Sequence, residues 1–290
     1  CPYNAVAKTK SRILLFYELC HACGACSLVC PVNAVIEDDK RIGTIESGLA
    51  RGRISFRSGL LQTGVGGMSP RIIQALKANA GDGIVILDSP PGTTCPTVET
   101  ISGADMCVLI SDPTPFSVHD LKLSVEMCQS IGIEPSVVIN RAGIDDAVLI
   151  QFCSDARLEI LGCIPDDRRI AERYARGELA GDTLPDIRSA FESLAAKIID
   201  PAYHRRPVIS AQRCVEPPPS KMLGITPVTE TATNVKEIVV ISGKGGTGKT
   251  SLTACFAQLN SPGTVADCDV DASDLHLDRK STSLNSSHES

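Results

Sequence analysis

Four cysteines near the start of the chain have a spacing that suits an iron–sulfur cluster. Cys20-x2-Cys23-x2-Cys26-x3-Cys30 is followed by Pro31, and in such a run three thiolates bind one cubane while the fourth binds a neighbouring cluster. The two-residue gaps let the backbone curl around the cubane with its amides directed at the sulfides. A structural zinc site is the alternative, but zinc ribbons place two Cys pairs on separated knuckles. The spacing therefore predicts a 4Fe-4S site.

The first two residues extend this pattern, because Cys1-Pro2 resembles the end of a preceding copy of the motif. The arrangement resembles a bacterial two-cluster ferredoxin, in which ligation is crossed between the halves. The resemblance implies that Cys1 completes the cluster held by the first three motif cysteines, and that Cys30 serves a second cluster with its other ligands upstream. His21 either contacts a sulfur or is an exposed spacer. Residues 1–40 are thus expected to be a truncated ferredoxin domain with one complete 4Fe-4S site and one truncated site.

A second motif lies in the last quarter of the chain. Gly243-Lys-Gly-Gly-Thr-Gly-Lys249-Thr250 fits the pattern G-x-x-x-x-G-K-[ST] between an apolar run and a helical one. Its glycines let backbone amides converge on phosphate oxygens, while Lys249 reaches the β- and γ-phosphates and the Thr250 hydroxyl binds Mg²⁺. The motif predicts a nucleotide site formed by Gly243, Lys244, Gly245, Gly246, Thr247, Gly248, Lys249, Thr250 and Ser251.

Because it contains Lys244, this loop resembles the loop of one protein family. The run Lys-Gly-Gly-x-Gly-Lys-Thr resembles the deviant phosphate loop of the superfamily that contains MinD, ParA, Mrp and the nitrogenase iron protein. In that family the additional lysine reaches across a nucleotide-sandwich dimer to the phosphates of the partner. The resemblance implies that the chain binds ATP and Mg²⁺, that Lys244 and Lys249 are catalytic, and that the protein works as a homodimer or beside a paralogous ATPase.

The resemblance also covers polar residues that follow predicted strands. Asp267-Cys-Asp269 stands where the family has Asp-x-Asp, which implies that Asp269 orients the attacking water and that Asp267 belongs to the Mg²⁺ shell. Asp88 ends an apolar run as the Walker B acid does, and would hold Mg²⁺ together with Thr250. Asn140 matches the adenine-contacting Asn of the family. An acidic turn and a strand-end turn former are the alternatives for the Asp pair and for Asn140.

The other cysteines need separate interpretation. The nitrogenase iron protein has a cluster-ligating Cys near the position of Cys95, but Gly67 occupies the position of its second cysteine. We therefore predict that Cys95 is a thiol in a switch loop and not a ligand. Five further cysteines are predicted to be small buried hydrophobic residues: Cys107, Cys128, Cys153, Cys163 and Cys255.

Composition limits the classes of protein that the chain can represent. Its 290 residues include 43% apolar ones, but only six Phe, four Tyr and no Trp. This composition favours layered α/β packing and disfavours single-stranded nucleic-acid binding, which uses stacking aromatics. A net charge of −6 gives no support to a nucleic-acid or anionic-membrane surface, and no apolar run is long enough to span a bilayer. The thirteen cysteines are not spaced as a disulfide framework, which predicts a reducing, cytoplasmic location.

The elements that must position these residues alternate along the chain. Short apolar runs at 84–87, 108–110, 137–139 and 160–164 are separated by helical patterns at 117–130, 147–155 and 167–176, and a last helix is predicted at 187–199. This alternation is typical of a doubly wound, mostly parallel α/β sheet. The resemblance narrows the fold to a P-loop NTPase of the SIMIBI type, with a small α+β ferredoxin-like domain. Runs within 41–56 are expected to be edge strands.

The order of segments is reversed relative to that family. After the ferredoxin domain we predict a C-terminal ATPase portion at 41–205, a Pro-rich linker at 206–235, an N-terminal phosphate-loop unit at 236–277, and a disordered, non-native tail at 278–290 that resembles a translated sequencing adapter. A flexible 30-residue linker spans roughly 30 Å. This reach lets the unit at 236–277 dock into its own chain as a circular permutant, with Thr250 near Asp88.

The resemblance implies an ATPase whose dimer geometry is coupled to 4Fe-4S clusters, either for electron transfer to a redox partner or for assembly of iron–sulfur and metal centres in a client protein. A positioning switch of the MinD or ParA kind, with the ferredoxin as sensor, is one alternative. Such a switch would use a basic helix, but segment 186–200 has only Arg188 and Lys197 as basic residues. A plain electron carrier with an inactive ATPase is the other alternative. No nucleic-acid or membrane partner is expected.

Overall fold

The computed structural model describes residues 1–51, 53–65, 67–81, 83–143, 145–199, 236–243, 245–259 and 263–271. Lys244, the predicted linker at 206–235 and the predicted tail at 278–290 lie outside the described residues. Predictions on those positions therefore stay predictions.

The described strands form two sheets. A small antiparallel ribbon near the cysteine motif pairs β1 (Val6–Lys8) with β2 (Ile13–Leu15). The large sheet has eight strands in the order β3-β4-β10-β5-β9-β6-β7-β8. They are β3 (Gly43–Ala50), β4 (Ile54–Leu61), β5 (Ile84–Asp88), β6 (Met106–Ser111), β7 (Ser136–Ala142), β8 (Glu159–Pro165), β9 (Lys236–Ser242) and β10 (Gly263–Asp267). All neighbours are parallel except β3 and β4.

The helices of the described residues are α1 (Ala25–Val29), α2 (Ser69–Ala78), α3 (Cys95–Ile101), α4 (Pro115–Ser130), α5 (Ala147–Asp155), α6 (Arg168–Ala175), α7 (Ala180–Thr183), α8 (Pro185–Ile199) and α9 (Lys249–Leu259). The predicted helical patterns agree with α4, α5, α6 and α8 to within two residues. Four helices, α1, α2, α3 and α7, were not predicted from the sequence. In α2 and α3, Pro70 and Pro96 look like helix breakers but occupy the first turn, where proline is tolerated. None of the described helices combines the length and apolar character needed to cross a membrane.

The C-terminal unit supplies two interior strands of the large sheet. β9 lies between β5 and β6, and β10 lies between β4 and β5. The side chains of Val239, Val240 and Ile241 have no solvent exposure, as expected for a strand covered on both faces. The prediction that this unit docks into its own chain is confirmed, and the α/β, mostly parallel sheet is confirmed with it.

Helices cover both faces of this sheet. On one face, α8 and α9 pack around Phe191 and Phe256, whose rings meet edge to face with centroids 6.5 Å apart. On the other face, α2, α4 and α5 pack over the opposite side chains of the same strands. The aliphatic core that the composition predicts is therefore divided into two layers by the sheet.

The ribbon of β3 and β4 corrects one prediction. Of these two strands, β3 lies at an edge of the sheet and β4 does not, because β4 pairs with β10, a strand from the far end of the chain. Gly43 and Gly59 let α2 lie close to this ribbon. A Cβ atom at Gly43 would stand 2.6 Å from Ile72 Cδ1, and one at Gly59 would stand 2.5 Å from Ile72 Cγ2, so larger residues would push the helix away.

Most of the cysteines outside the motif are placed as predicted. Cys107, Cys128, Cys153 and Cys255 are buried, and burial raises the pKa of the Cys153 thiol to about 11. The prediction for Cys163 is wrong, because this residue is exposed on β8, the last strand of the sheet, where coverage is incomplete.

Replacing Ile241 by Ala tests the central position of β9. We expect the free energy of unfolding to fall by about 2–5 kcal/mol, because a fully buried side chain is removed. Hydrogen exchange should show that β5 and β6 lose protection together with β9. The control Val148→Ala, at an exposed position of α5, should change the free energy by less than about 0.5 kcal/mol. Unchanged protection of β5 and β6 in I241A would contradict this interpretation.

Candidate functional site

The carboxyl ends of β5, β9 and β10 meet at one edge of the sheet and bring acidic side chains together. Asp88 ends β5 and lies in register with Asp267, which ends β10. Neither side chain has any solvent exposure. The glycine loop follows β9, and β9 pairs with the edge of β5 that faces away from β10. The register of three parallel strands therefore sets two buried carboxyl groups beside the predicted phosphate loop.

Lys249 forms an ion pair with Asp88. Its Nζ atom contacts Asp88 Oδ1, and the Lys249 side chain is only 7% exposed. Thr253, one helical turn further along α9, donates a hydrogen bond of 3.3 Å to the same oxygen. Thr250 also hydrogen-bonds the Asp88 carboxyl group, which confirms the prediction that these two residues lie close together. The first turn of α9 therefore surrounds one buried carboxylate.

Burial dominates the electrostatics of Asp88. Loss of hydration raises the pKa of this carboxyl group to about 6, and the nearby Asp267 adds to the rise. The Lys249 ammonium and the Thr250 hydroxyl oppose it. Burial thus outweighs the ammonium and the hydroxyl, and the Asp88 carboxyl group is a weaker acid than an ordinary aspartate.

Asp88 Oδ2 is buried, and no hydrogen-bond partner for it exists in the described part of the chain. A buried acceptor without a partner is costly. Carboxylate and hydroxyl oxygens are the ligands that Mg²⁺ prefers, so Asp88 and Thr250 fit a magnesium ion by donor type.

The glycine loop is held by neighbours on two sides. Gly246 and Gly248 both have φ of 86°, the left-handed region that favours glycine. Asn140, near the end of β7, donates a 2.6 Å hydrogen bond from Nδ2 to the carbonyl oxygen of Thr247. The Asn140 amide therefore contacts the loop itself, and the adenine contact implied by the resemblance stays a prediction. On the other side, the backbone N–H of Gly92 donates to the Ser242 carbonyl at 3.0 Å.

The remaining predicted residues are near the site but differ in placement. Asp269 is half-buried, and its backbone N–H donates to Asp267 Oδ1 at 3.1 Å. Ser251 lies on α9, one residue beyond Thr250. Sequence reasoning missed Thr253, although its spacing of four from Lys249 places both on one face of a helix.

The cysteine motif has the features of a thiolate site. Cys1, Cys20 and Cys23 are exposed, and Cys26 and Cys30 are partly buried. The backbone N–H of Ala34 donates to Cys30 Sγ at 3.2 Å, and this bond is the main cause that lowers the pKa of Cys30. The Ala22 N–H likewise donates to Cys20 Sγ at 3.4 Å. The N–H donors to Cys30 favour its charged thiolate, the form that binds iron, so the residues fit a 4Fe-4S cluster.

The described side chains do not include three His, Cys, Asp or Glu groups that converge on a single metal ion. A cubane does not need such convergence, because each of its irons takes its own thiolate.

The loop of the motif rests on the segment that joins β4 to α2. The His21 ring stacks on Tyr3 with centroids 3.9 Å apart, and it covers Gly67 so closely that a Cβ atom there would collide with it. Arg71, in the first turns of α2, donates a 2.5 Å hydrogen bond to the Ala22 carbonyl. His21 is therefore a packing residue here. No sequence signal could have found Arg71, because its partner lies 49 positions away.

The same segment reaches the acidic end of β10. Ser69 Oγ donates to Asp271 Oδ2 at 3.1 Å, and the backbone N–H of Leu61 donates to the Val270 carbonyl at 2.9 Å. The cysteine motif and the carboxyl-end site are thus joined through one short segment of the chain.

Comparison with known proteins identifies the site formed by the cysteine motif. Residues 13–36 match the family described as the 4Fe-4S binding domain, and this stretch contains Cys20, Cys23, Cys26 and Cys30. The chain therefore carries a ferredoxin-type 4Fe-4S domain near its N-terminus. The match supports an iron–sulfur cofactor and an electron-transfer role.

Two curated relatives come from the archaeon Methanocaldococcus jannaschii. The uncharacterized protein MJ0579 is 28% identical over 207 residues, which are 69% of this chain and 70% of the relative. The uncharacterized protein MJ0578 is 26% identical over 233 residues, which are 68% of this chain and 81% of the relative. No solved structure matches the chain.

Lys249→Met tests the buried ion pair. Without the ammonium, the pKa of Asp88 should rise above about 6. Because the pKa of Asp88 is higher in the folded protein than its ordinary value of 3.8, protonation of Asp88 stabilises the fold at low pH. This stabilisation is lost as the pH rises through the folded-state pKa. In the variant, the loss should therefore occur at higher pH. At pH 8 we expect the variant to be less stable by about 3–5 kcal/mol, with a smaller deficit at pH 5.

Urea unfolding between pH 5 and 8 measures this difference. Lys122→Met, which removes an exposed ammonium from α4, is the control and should show little deficit at any pH. A deficit in K249M that does not change with pH would contradict the assignment.

Cys20→Ser tests the cysteine motif. We expect the variant to lose most of its iron and acid-labile sulfide, because one thiolate of the site is removed. Cys163→Ser alters a cysteine that is exposed but outside the motif, and it should keep both. The contents of iron and acid-labile sulfide are measured after anaerobic purification. Full retention of both in C20S would exclude Cys20 as a ligand.

Proposed function

We propose that the protein is a phosphate-loop ATPase whose ATP cycle is coupled to a 4Fe-4S cluster. The observation that carries this proposal is the ion pair between Lys249 and buried Asp88, two residues that are 161 positions apart. A glycine loop, a lysine that begins a helix and a strand-end acid are the groups that phosphate-loop nucleotide sites use. The resemblance to the MinD superfamily of SIMIBI-type NTPases supports the same assignment.

Nucleotide binding would exchange the partners of Lys249. The backbone amides of the glycine loop and the N-terminus of α9 would bind the phosphates. Lys249 would move from Asp88 to the β- and γ-phosphates, and both oxygens of Asp88 would become available. Asp88, Thr250 and Asp267 would then hold Mg²⁺, which when bound neutralises charge on the phosphates. Before ATP arrives, the Lys249 ammonium therefore balances the charge of Asp88.

Hydrolysis needs a water positioned in line with the γ-phosphate. Asp269 follows β10, at the same edge of the sheet as Asp88, and is half-buried. We assign it the role of orienting that water. Lys244 would supply a second positive charge across a dimer, with another copy or a paralogous ATPase as partner. Asn140 would hold the loop through the Thr247 carbonyl, or contact adenine when nucleotide is present.

The cysteine motif gives this ATPase its output. The thiolates of Cys1, Cys20, Cys23 and Cys26 would hold one 4Fe-4S cluster and Cys30 would serve another, and a bound cluster supplies one-electron transfer. Ser69 and Arg71 connect the acidic end of β10 to the motif loop through their bonds to Asp271 and the Ala22 carbonyl. A displacement of β10 on nucleotide binding would move the motif loop through these contacts.

Electron delivery to a redox partner is the output that we favour. Outside the motif, the chain lacks the short Cys-x-x-Cys that cluster-assembly relatives use as a scaffold. Assembly of iron–sulfur or metal centres in a client protein is the other output of the same site. A plain electron carrier is a second candidate function, because the match to a 4Fe-4S binding domain at residues 13–36 needs no ATPase.

ATP turnover with oxidised and with reduced clusters separates these functions. Under the proposal, the full chain hydrolyses ATP at a rate that depends on the redox state. Lys249→Met should lower the rate by about 100-fold or more, while Asp269→Asn should retain ATP binding and lose turnover. Lys122→Met is the exposed control and should leave the rate unchanged.

The other outcomes assign other functions. Absence of turnover in both redox states would support the electron carrier. Turnover that ignores the redox state would support a positioning switch.

A further inference from the structure

A cavity of about 230 Å³ lies between α2 and the ribbon of β3 and β4. Its polar wall is formed by Thr44 and Ser47 of β3, Arg57 of β4 and Arg71 of α2. None of the lining residues belongs to the glycine loop or to the cysteine motif. The cavity is therefore distinct from both sites described above.

The register of the ribbon places Ser47 and Arg57 on one face. Ser47 is directly opposite Arg57 in the antiparallel ladder, so their side chains lie on the same side of the sheet. The helix α2 covers that side because Gly43 and Gly59 make room for Ile72. Arg71 of α2 also lines the cavity, which brings a second guanidinium group to the same space.

The two arginines give the cavity positive charge that no described carboxylate pairs with. They are the ionisable residues among its lining side chains. Arg57 Nε is buried and has no hydrogen-bond partner in the part of the chain that the structure describes, which is costly for a guanidinium donor. Arg71 donates one hydrogen bond to the Ala22 carbonyl and keeps further N–H groups for other acceptors. Neither arginine forms an ion pair with a described carboxylate.

We propose that this cavity binds a phosphate oxyanion between Arg57 and Arg71, with the Ser47 hydroxyl as an additional donor. Guanidinium groups match the paired oxygens of phosphate in charge and in geometry. The volume is below the roughly 300–1,000 Å³ of sites for larger ligands, so the ligand is inorganic phosphate or a small phosphomonoester. Because Arg71 also holds the cysteine-motif loop, a bound anion lies one side chain away from that loop.

Calorimetric titration of the full chain with inorganic phosphate, at constant ionic strength in chloride, tests the site. We expect saturable binding that Arg57→Gln weakens about tenfold or more, the change that corresponds to a loss of about 1.4 kcal/mol. Arg53→Gln is the matched control, because Arg53 is exposed on the same ribbon and does not line the cavity. It should leave the affinity unchanged. Equal weakening in R53Q and R57Q would indicate diffuse attraction and overturn the proposal.

A second comparison separates this cavity from the glycine loop. Phosphate binding should persist in Lys249→Met, whether or not the chain hydrolyses ATP. Binding that is lost in K249M and retained in R57Q would assign the phosphate to the glycine loop and overturn the proposal. Absence of saturable binding in the unaltered chain would overturn it as well.

Ser47→Asp guards against a loss of binding caused by unfolding. The new carboxylate stands opposite Arg57 and can pair with it, so phosphate binding should disappear while the thermal unfolding midpoint is maintained or raised. Retained phosphate affinity in S47D would contradict the proposed site.

A titration with glycerol phosphate identifies the source of the anion. Tighter binding than inorganic phosphate indicates a phosphomonoester, and weaker binding indicates the free ion.

Discussion

The arrangement of the large sheet depends on β9, the strand that separates β5 from β6. Its residues pair on both edges and are buried on both faces, so hydrogen bonding and apolar burial act at the same place. β10 then occupies the gap between β5 and β4. Without these two strands, the segment from β3 to β8 would expose unpaired backbone groups of β4, β5 and β6, which proteins avoid. The core and the carboxyl-end site therefore form together.

The same pairing explains why a charged pair lies inside the protein. Asp88 and Asp267 end neighbouring strands and are driven toward each other by the register of the ladder, which is unfavourable for two carboxyl groups. Lys249 offsets part of this cost because α9 begins directly after the glycine loop. Folding thus raises the pKa of the Asp88 carboxyl group to about 6 and leaves one of its oxygens without a hydrogen-bond partner among the described residues.

Sequence patterns predicted those parts of the fold that depend on interactions between residues close together in the chain. The apolar runs of β5 to β8 and the helices α4, α5 and α8 follow from hydrophobic periodicity, and the cysteine and glycine motifs follow from spacing. Contacts between distant residues were out of reach. The bond from Asn140 to the Thr247 carbonyl joins residues 107 positions apart, and the partner of β4 is a strand near the end of the chain. Prolines in the first turns of α2 and α3 concealed helices that tertiary packing stabilises.

The late position of β9 in the chain has a consequence for synthesis. A ribosome produces β5 and β6 well before β9, and because a domain generally folds as a unit, the large sheet is completed only after β9 and β10 have emerged. During that interval the facing edges of β5 and β6 display apolar residues and open hydrogen-bonding groups, a combination that invites pairing with other chains. The growing polypeptide therefore passes through a stage in which the central position of the sheet, between β5 and β6, is not yet filled. Chaperones that shield exposed strand edges would have most effect at that stage.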